Sequence, residues 1–277
     1  MKSAESKPKI LVVVVHGPYQ PWLQIFEHGQ MKTWMSEKYS TRVINVFGIA
    51  MSESRRNLDE KIYYLRWSKK KLLAYMSLII EALIKEILPM NRFLPKVKQI
   101  HGTTMNEVWQ LQMPDSLLIQ GVKNVSVFKK SLELDFDFLV TTITSSYLNI
   151  PVLEEALSQV SPINFLGGRI EKSGEMEFQQ GSFRVYSRDV VANLVAHSKS
   201  YKHWKIEDIA MGTLAAKHYD KLSNLPNKTL TSVEEVELLS DEDLKTTISY
   251  RCKSTNGNMR IDSQIMGLLH QRILRSG

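Results

Sequence analysis

The chain has 277 residues, of which 43% are hydrophobic and 23% are charged, a composition that excludes wholesale disorder and fits one α/β domain around a continuous sheet. A single cysteine, Cys252, excludes an intramolecular disulfide and indicates a reducing compartment. The formal charge of +7 favours anionic partners but does not distinguish nucleic acid, lipid headgroups and nucleotides.

The first elements alternate between strand and helix. The β-branched run 10–15 predicts a strand buried on both faces, residues 23–39 predict a helix, and residues 41–47 predict a second strand that stops at Gly48. This β-α-β order favours an α/β fold. The polar start of the chain lacks the pattern of a signal peptide, so we expect a cytoplasmic protein.

The segment 55–100 is predicted to be a basic amphipathic helical insertion. Between residues 55 and 98 it has eleven Lys or Arg and four Asp or Glu. Its apolar residues recur at helical spacing, at positions 72, 73, 76, 79, 80, 83, 84 and 87. Two interpretations stay open: this apolar stripe packs on the protein's own core, or it lies on a membrane surface as a peripheral contact. The second interpretation rests on the flanking cations, which are Lys69–Lys71, Arg92, Lys96 and Lys98.

The alternation continues in the second half of the chain. Helices are predicted at 116–132, 152–159, 188–198 and 207–217. A central strand is predicted at 136–142, a more irregular part of the sheet begins at Phe165, and Ser240 and Asp243 have the spacing of a capping box. Residues 246–277 are expected to form a basic loop and a helix. We therefore predict one domain over residues 1–277, with a mixed, mainly parallel central sheet flanked by helices.

Several common catalytic motifs do not occur in the sequence. It has no Walker loop, no Gly-x-Gly-x-x-Gly after a strand, no His-Glu-x-x-His and no Gly-x-Ser-x-Gly. The seven histidines also lack the close spacing of metal ligands. These observations argue against P-loop hydrolysis, dinucleotide redox chemistry, zinc hydrolysis and serine hydrolysis.

Five short segments gain meaning from their order and spacing. They are Met31-Lys-Thr-Trp34, Asp115–Lys123, Asp137–Asn149, Gly181–Asp189 and Glu207-Asp-Ile-Ala-Met-Gly212. Together they resemble the β-1,3-galactosyltransferase and N-acetylglucosaminyltransferase superfamily, in that family's order, from about residue 10 to about residue 220. The resemblance implies a GT-A-like, Rossmann-like fold. It also implies transfer of a hexose or N-acetylhexosamine from a nucleotide diphosphate sugar, with a UDP-sugar favoured, to a glycan or other acceptor hydroxyl.

The catalytic residues are carried over from the same resemblance. Asp208 matches the family's general base, which deprotonates the acceptor hydroxyl, and Glu207 is expected to support it by raising its pKa. An inverting displacement needs one such base. Gly181 and Ser182 would lie on the acceptor side, where Ser182 and Phe183 replace two of the family's glycines.

The donor side departs from the family more strongly. Asp115 and Lys123 keep the ends of the family's donor helix, although Asp115 is equally explained as a helix N-terminal acid. The family's metal-binding Asp-Asp-Asp aligns with Ile143-Thr144-Ser145, so Thr144 and Ser145 are predicted to contact the donor. No metal ligand is assigned, and a divalent Mn²⁺ or Mg²⁺ stays open. The Asp135-Phe-Asp137 sequence has the Asp-x-Asp pattern of a metal site. It precedes its strand, whereas ligands of α/β proteins bind beyond the carboxyl end of a strand, so we do not interpret it as a metal site.

A leaving diphosphate must still be neutralised, and cationic side chains can do so without a metal. Arg251, Lys253 and Arg260, near the carboxyl end of the chain, are predicted to bind the diphosphate, with an ordinary basic surface loop as the alternative. Two other functions stay open: a catalytically silent glycosyltransferase-like binding module, and a nucleic-acid-binding protein. The last is the least favoured because the apolar stripe between the basic residues looks built for burial.

Overall fold

The computed structural model describes residues 7–65, 72, 76, 79, 80, 96–100, 107–201, 206–256 and 259–276. Its strands are β1 (Ile10–His16), β2 (Arg42–Ile49), β3 (Val97–Ile100), β4 (Glu107–Pro114), β5 (Phe138–Ile143), β6 (Ser146–Leu148), β7 (Leu166–Ser173), β8 (Met176–Ser187), β9 (Ser223–Asn224), β10 (Asn227–Leu230), β11 (Ser249–Cys252), β12 (Thr255–Asn256) and β13 (Met259–Arg260). Eight of these strands form one mixed sheet in the order β3-β4-β2-β1-β5-β8-β7-β9. This arrangement confirms the predicted α/β class.

Parallel pairing dominates the middle of this sheet. β1 pairs in parallel with both β2 and β5, and β2 pairs in parallel with β4. β3, β8 and β7 add antiparallel strands on the two sides. The carboxyl ends of β1, β2, β4 and β5 therefore lie at one edge of the sheet, where α/β proteins bind their ligands.

Helices cover both faces of the sheet. They are α1 (Trp22–Ile25), α2 (Glu53–Leu65), α3 (Gln120–Ser131), α4 (Ile150–Ser158), α5 (Arg188–Ala196), α6 (Glu207–Ala215), α7 (Val233–Glu237), α8 (Asp241–Thr246) and α9 (Asp262–Ser276). Successive β1 side chains point to opposite faces. Leu11, Val13 and Val15 pack in the core layer that contains α3, α5 and α6. Ile10, Val12 and Val14 pack in the layer that contains α4 and α9, so the all-apolar run of β1 is explained by burial on both sides.

The helix predicted at 23–39 is much shorter than expected. α1 has four residues and runs into a π-helix, Phe26–Gln30. A Cβ on Gly29 would lie 2.9 Å from the Met266 sulfur of α9, so the glycine accommodates the close approach of α9, and glycine also weakens a regular helix. The buried Gln30 amide donates to the backbone oxygens of Ile143 (3.2 Å) and Ser146 (2.9 Å). Packing and these tertiary bonds thus replace the regular helical pattern.

The predicted insertion at 55–100 is only partly described. Its first residues form most of α2, but its last residues, Val97–Ile100, form β3, which pairs antiparallel with β4 and is not helical as the predicted insertion implied. Leu72, Met76, Ile79 and Ile80 are helical and exposed, which contradicts core packing for these four. The other stripe positions, Lys69–Lys71 and Arg92 lie outside the described residues. Across the described ranges, no helix combines the length and the apolarity that crossing a bilayer requires.

Near the carboxyl end, a small second sheet brings distant segments together. β11 pairs in parallel with β10 and antiparallel with β6. A two-residue turn connects β5 to β6. The predicted capping box precedes this region and is confirmed: the Asp243 N–H donates to the Ser240 hydroxyl at 3.1 Å, and the Ser240 N–H donates to the Asp243 carboxylate at 3.2 Å. The pairing of β11 with β6 places Arg251 at the edge where β5 ends.

Candidate functional site

Two adjoining cavities lie at the carboxyl edge of the parallel strands. The smaller cavity has a volume of about 180 Å³ and the larger one about 420 Å³. Both are lined by Val15 of β1, Ile143 at the end of β5, and Arg251 of β11. Because they share these walls, they form one cleft, and a ligand that fills it would lie across the ends of β1 and β5.

The smaller cavity contains the carboxylate pair at the start of α6. Glu207 and Asp208 occupy the first turn of this helix, where the helix dipole stabilises negative charge. Gly181 and Ser182 of β8 line the same cavity opposite them. The structure therefore brings together all four residues that the resemblance assigns to catalysis and to the acceptor side.

A buried arginine, Arg184, links the two carboxylates. Its Nη1 donates to Glu207 Oε1 and its Nη2 to Glu207 Oε2, both at 2.7 Å, and Nη2 also donates to Asp208 Oδ1. Glu207 accepts a further hydrogen bond from the Asn124 side chain. Glu207 is 14% exposed and Asp208 is 27% exposed, so Asp208 is the more accessible carboxylate.

The two carboxylates have pKa values displaced in opposite directions. Burial raises the pKa of Asp208 to about 7, and the neighbouring negative charge of Glu207 adds to the rise, although Arg184 opposes it. Burial also disfavours ionised Glu207, but the charge and hydrogen bonds of Arg184 outweigh it and lower the Glu207 pKa. Glu207 is therefore a permanent anion near neutral pH, while Asp208 can take up and release a proton.

Gly181 fits tightly against this pair. A Cβ at this position would lie 2.8 Å from Asp208 Oδ1 and 3.2 Å from Arg184 Nη2. The backbone N–H of Gly181 also favours the ionised form of Asp208. Glycine at this position thus leaves room for the Asp208 carboxylate.

Asp115 and Lys123 line the larger cavity, but they pair with each other. Lys123 Nζ donates to Asp115 Oδ1 and, at 3.2 Å, to the backbone oxygen of His16. Both side chains of the ion pair are largely buried. The charge of Lys123 is therefore already matched by Asp115, and the pair holds the start of α3 against the end of β1.

Thr144 and Ser145 form the turn after β5 and also line the larger cavity. His16 Nδ1 shares a hydrogen bond with Thr144 Oγ1 (3.1 Å), and His16 Nε2 shares one with Asn45 Oδ1 (2.9 Å). Burial lowers the pKa of His16 to about 3, so this histidine is neutral. The turn is fixed in place by these contacts and by Gln30.

The turn after β5 does not fit the divalent metal that the resembling family holds there. Mn²⁺ and Mg²⁺ prefer carboxylate oxygens, and the turn at 143–145 has none. Asp135 lies at the opposite, amino end of β5, where it is exposed and pairs with Lys9. Within the part of the chain that the structure describes, no three His, Cys, Asp or Glu side chains gather into a metal-binding group.

The three predicted diphosphate ligands differ in their placement. The Cys252 N–H donates to the Ser145 backbone oxygen at 2.7 Å, which fixes Arg251 and Lys253 beside the turn. Both line the larger cavity, and the buried Arg251 Nε has no hydrogen-bond partner among the described residues. Arg260 lines neither cavity. Its Nε donates to Asp262 at 2.7 Å, and its guanidinium lies 4.8 Å from the Trp22 ring centre, so the structure does not bring it into the cleft.

No family model matches this chain. Nor does any characterised protein match it significantly in sequence.

Sequence reasoning missed two cations of the cleft. Arg184 lies between the buried apolar residues Phe183 and Val185 in β8, and a charged residue at such a position indicates a buried partner of opposite charge. Arg56 of α2 lines the larger cavity, with its guanidinium 5.0 Å from the Tyr19 ring centre. For Arg56 the sequence offers no distinguishing signal, because α2 has several charged residues.

Proposed function

We propose that this protein is an inverting, GT-A-like glycosyltransferase that uses a nucleotide diphosphate sugar and neutralises the leaving diphosphate with cationic side chains. One observation carries the proposal. A carboxylate whose pKa is about 7 and an arginine without a hydrogen-bond partner at Nε, Asp208 and Arg251, line the same small cavity. Transfer from a nucleotide sugar needs a base and a neutralised leaving group on opposite sides of the anomeric carbon.

The two cavities suit the two halves of the donor. The larger one has aromatic walls, Tyr19, Trp22 and Tyr64, which can contact a nucleobase. It also has Arg251 and Lys253, which can bind the two phosphates by charge-assisted hydrogen bonds. The sugar would then lie near Arg251, at the junction with the smaller cavity. The walls of the smaller cavity include Gln120, Asn124 and Gln180, whose amides can donate to and accept from hydroxyl groups.

In the proposed reaction the acceptor hydroxyl binds beside Asp208. As its oxygen attacks the anomeric carbon, the bond from that carbon to the phosphate oxygen breaks with its electron pair. The hydroxyl proton passes to Asp208, and the negative charge that develops on the departing diphosphate is stabilised by Arg251 and Lys253. Glu207 stays ionised throughout and sustains the basicity of Asp208.

Nucleotide binding tests the donor site. We expect a nucleoside diphosphate, UDP first, to raise the melting temperature in EDTA, because a ligand that binds only the folded state stabilises it. Arg251→Gln should weaken this binding at least about tenfold, since a hydrogen bond to a charged group contributes about 1.5–3 kcal/mol. Lys172→Gln is the matched control, because this exposed lysine pairs with Glu177 on the β7–β8 hairpin, away from the cleft. No response to UDP, GDP or CDP would refute the proposed donor site.

Product formation tests the transfer itself. We expect Asp208→Asn to bind the donor as well as the wild-type protein does but to lose transfer, measured as release of the nucleoside diphosphate with a panel of glycan acceptors. Donor binding without transfer by the wild-type protein would favour the silent binding module instead. Steeply salt-dependent binding to DNA or RNA would favour the nucleic-acid alternative. A cytoplasmic location and a membrane contact stay predictions.

A further inference from the structure

The most unusual charged group in the cleft is the guanidinium of Arg184. Arg184 is almost fully buried in β8, where an unpaired charge would be very costly. Each of its three nitrogens donates a hydrogen bond: Nε to the Gln179 backbone oxygen at 3.2 Å, Nη1 to Glu207, and Nη2 to both Glu207 and Asp208. The strand therefore holds a cation whose terminal donors are directed at the carboxylate pair.

The contacts of Arg184 with the two carboxylates are unequal. Glu207 receives a two-pronged contact and a third bond from Asn124, so both of its oxygens are fixed. Among the described side chains, only the Nη2 of Arg184 donates to Asp208, which shares this nitrogen with Glu207 and is nearly twice as exposed as Glu207. This asymmetry leaves one carboxylate immobile and the other free to meet a ligand.

We propose that Arg184 is a positioning residue, which clamps Glu207 as a fixed anion and orients Asp208 towards the smaller cavity. The proposal rests on the proposed function in one respect, namely that Asp208 is the group that accepts a proton from the acceptor. Arginine is suited to this role because its planar fork can bond two oxygens of one carboxylate and share a nitrogen with a second. A lysine has the charge but lacks this geometry.

The ionisable groups around Asp208 are consistent with this arrangement. Those that interact with it electrostatically are Arg184 and Tyr186 of β8, Glu207 of its own helix, Tyr201 before α6, and Arg251 of β11; the two tyrosines are neutral because burial raises their pKa. Arg184 favours ionised Asp208 and Glu207 disfavours it. Removing either partner should therefore move the Asp208 titration, and the two removals should move it in opposite directions.

The test is a titration of Asp208 that does not depend on transfer activity. Carbon-13 NMR of protein labelled at the aspartate carboxyl carbon would follow Asp208, with Asp208→Asn used for assignment. We expect a midpoint near pH 7 in the wild-type protein. In Arg184→Gln the midpoint should rise by roughly one to three units, the range by which an adjacent arginine shifts an aspartate. In Arg184→Lys, which keeps the charge, it should rise less.

Arg188→Gln is the matched control for loss of an arginine. Arg188 directly follows β8 as the first residue of α5, but it donates to the backbone oxygens of Leu132 and Leu134 and lies against Phe136. We expect it to lower stability without moving the Asp208 midpoint. A shift as large as that of Arg184→Gln would show a general loosening of the fold and would overturn the proposal.

Glu207→Gln covers the case in which Arg184→Gln does not fold. It removes one buried carboxylate, keeps the shape of the side chain, and should lower the Asp208 midpoint because a neighbouring negative charge is lost. An unchanged midpoint in Glu207→Gln, or in Arg184→Gln, would overturn the clamp. If the midpoints shift as expected and no transfer is found, the role of Arg184 stands and the proposed function fails. If transfer is found, the acid limb of its pH profile should follow the same midpoints.

Discussion

The raised pKa of Asp208 predicts that the free energy of unfolding of the wild-type protein falls as the pH rises. Asp208→Asn should remove this part of the pH dependence. The Asp208 pKa is about 7 in the folded protein, against an ordinary value of 3.8 for an aspartate. The folded state therefore binds the proton more tightly than the unfolded state does. The stabilisation is complete below pH 3.8, declines as the pH rises, and is lost above pH 7.

The magnitude follows from the size of this pH window. Between pH 5 and the midpoint near pH 7 lie about two units, and each unit is worth about 1.36 kcal/mol. From pH 5 to pH 8.5 the wild-type protein should thus lose about 3 kcal/mol of unfolding free energy through Asp208 alone. Effects of the substitution that do not depend on pH cancel when the wild-type protein and Asp208→Asn are compared at both pH values.

The assay is urea denaturation of both proteins at pH 5, 7 and 8.5. We expect Asp208→Asn to gain about 3 kcal/mol relative to the wild-type protein between the two extremes. Asp220→Asn, a substitution of an exposed aspartate, is the control and should show no such gain. Parallel stability curves for the wild-type protein and Asp208→Asn would refute the argument, because they would mean that Asp208 titrates alike in the folded and unfolded states.

Two further predictions concern packing and charge at the site. Gly181→Ala should destabilise the fold by about 1–3 kcal/mol, because the added Cβ would press on Asp208 Oδ1. The control is Gly267→Ala in α9, where no atom lies within 4 Å of the added Cβ, and it should stabilise the fold by about 0.5–1 kcal/mol. Urea denaturation measures both effects. A Gly181→Ala protein as stable as the wild type would contradict the close contact. Lys123→Met should cost about 3–5 kcal/mol because it leaves buried Asp115 unpaired, while Lys172→Met on the surface should cost less than about 1 kcal/mol. Equal effects on the melting temperature would show that the Asp115 carboxylate is hydrated.

Local sequence patterns were sufficient to predict much of the fold. The apolar run of β1 and the strand–helix alternation around it predicted a parallel α/β core. This was possible because a strand that is buried on both faces needs apolar residues at every position, and such a run can be recognised in the sequence. The motifs resembling a glycosyltransferase also named eight of the residues that line the cleft, among them Gly181, Glu207 and Asp208. They could do so because the carboxyl ends of parallel strands meet at one edge, which brings residues as distant as Val15 and Ile143 together.

Tertiary contacts decided what these patterns left open. The helix expected at 23–39 gives way to a π-helix because α9 approaches Gly29 and Gln30 bonds the turn after β5. β3 replaces the end of the expected helical insertion because β4 offers it a partner.

The sequence also could not predict which of the charged site residues form ion pairs. Arg251 and Arg260 are both arginines of one basic segment, yet Asp262 neutralises only Arg260, and only Arg251 reaches the cleft. Arg184 lies 23 residues from Glu207 in the chain, and only the fold brings them into contact. The sequence determined which ionisable groups were available, whereas the tertiary structure decided which were paired, because pairing depends on distances of a few ångströms and on burial, which weakens the screening by water.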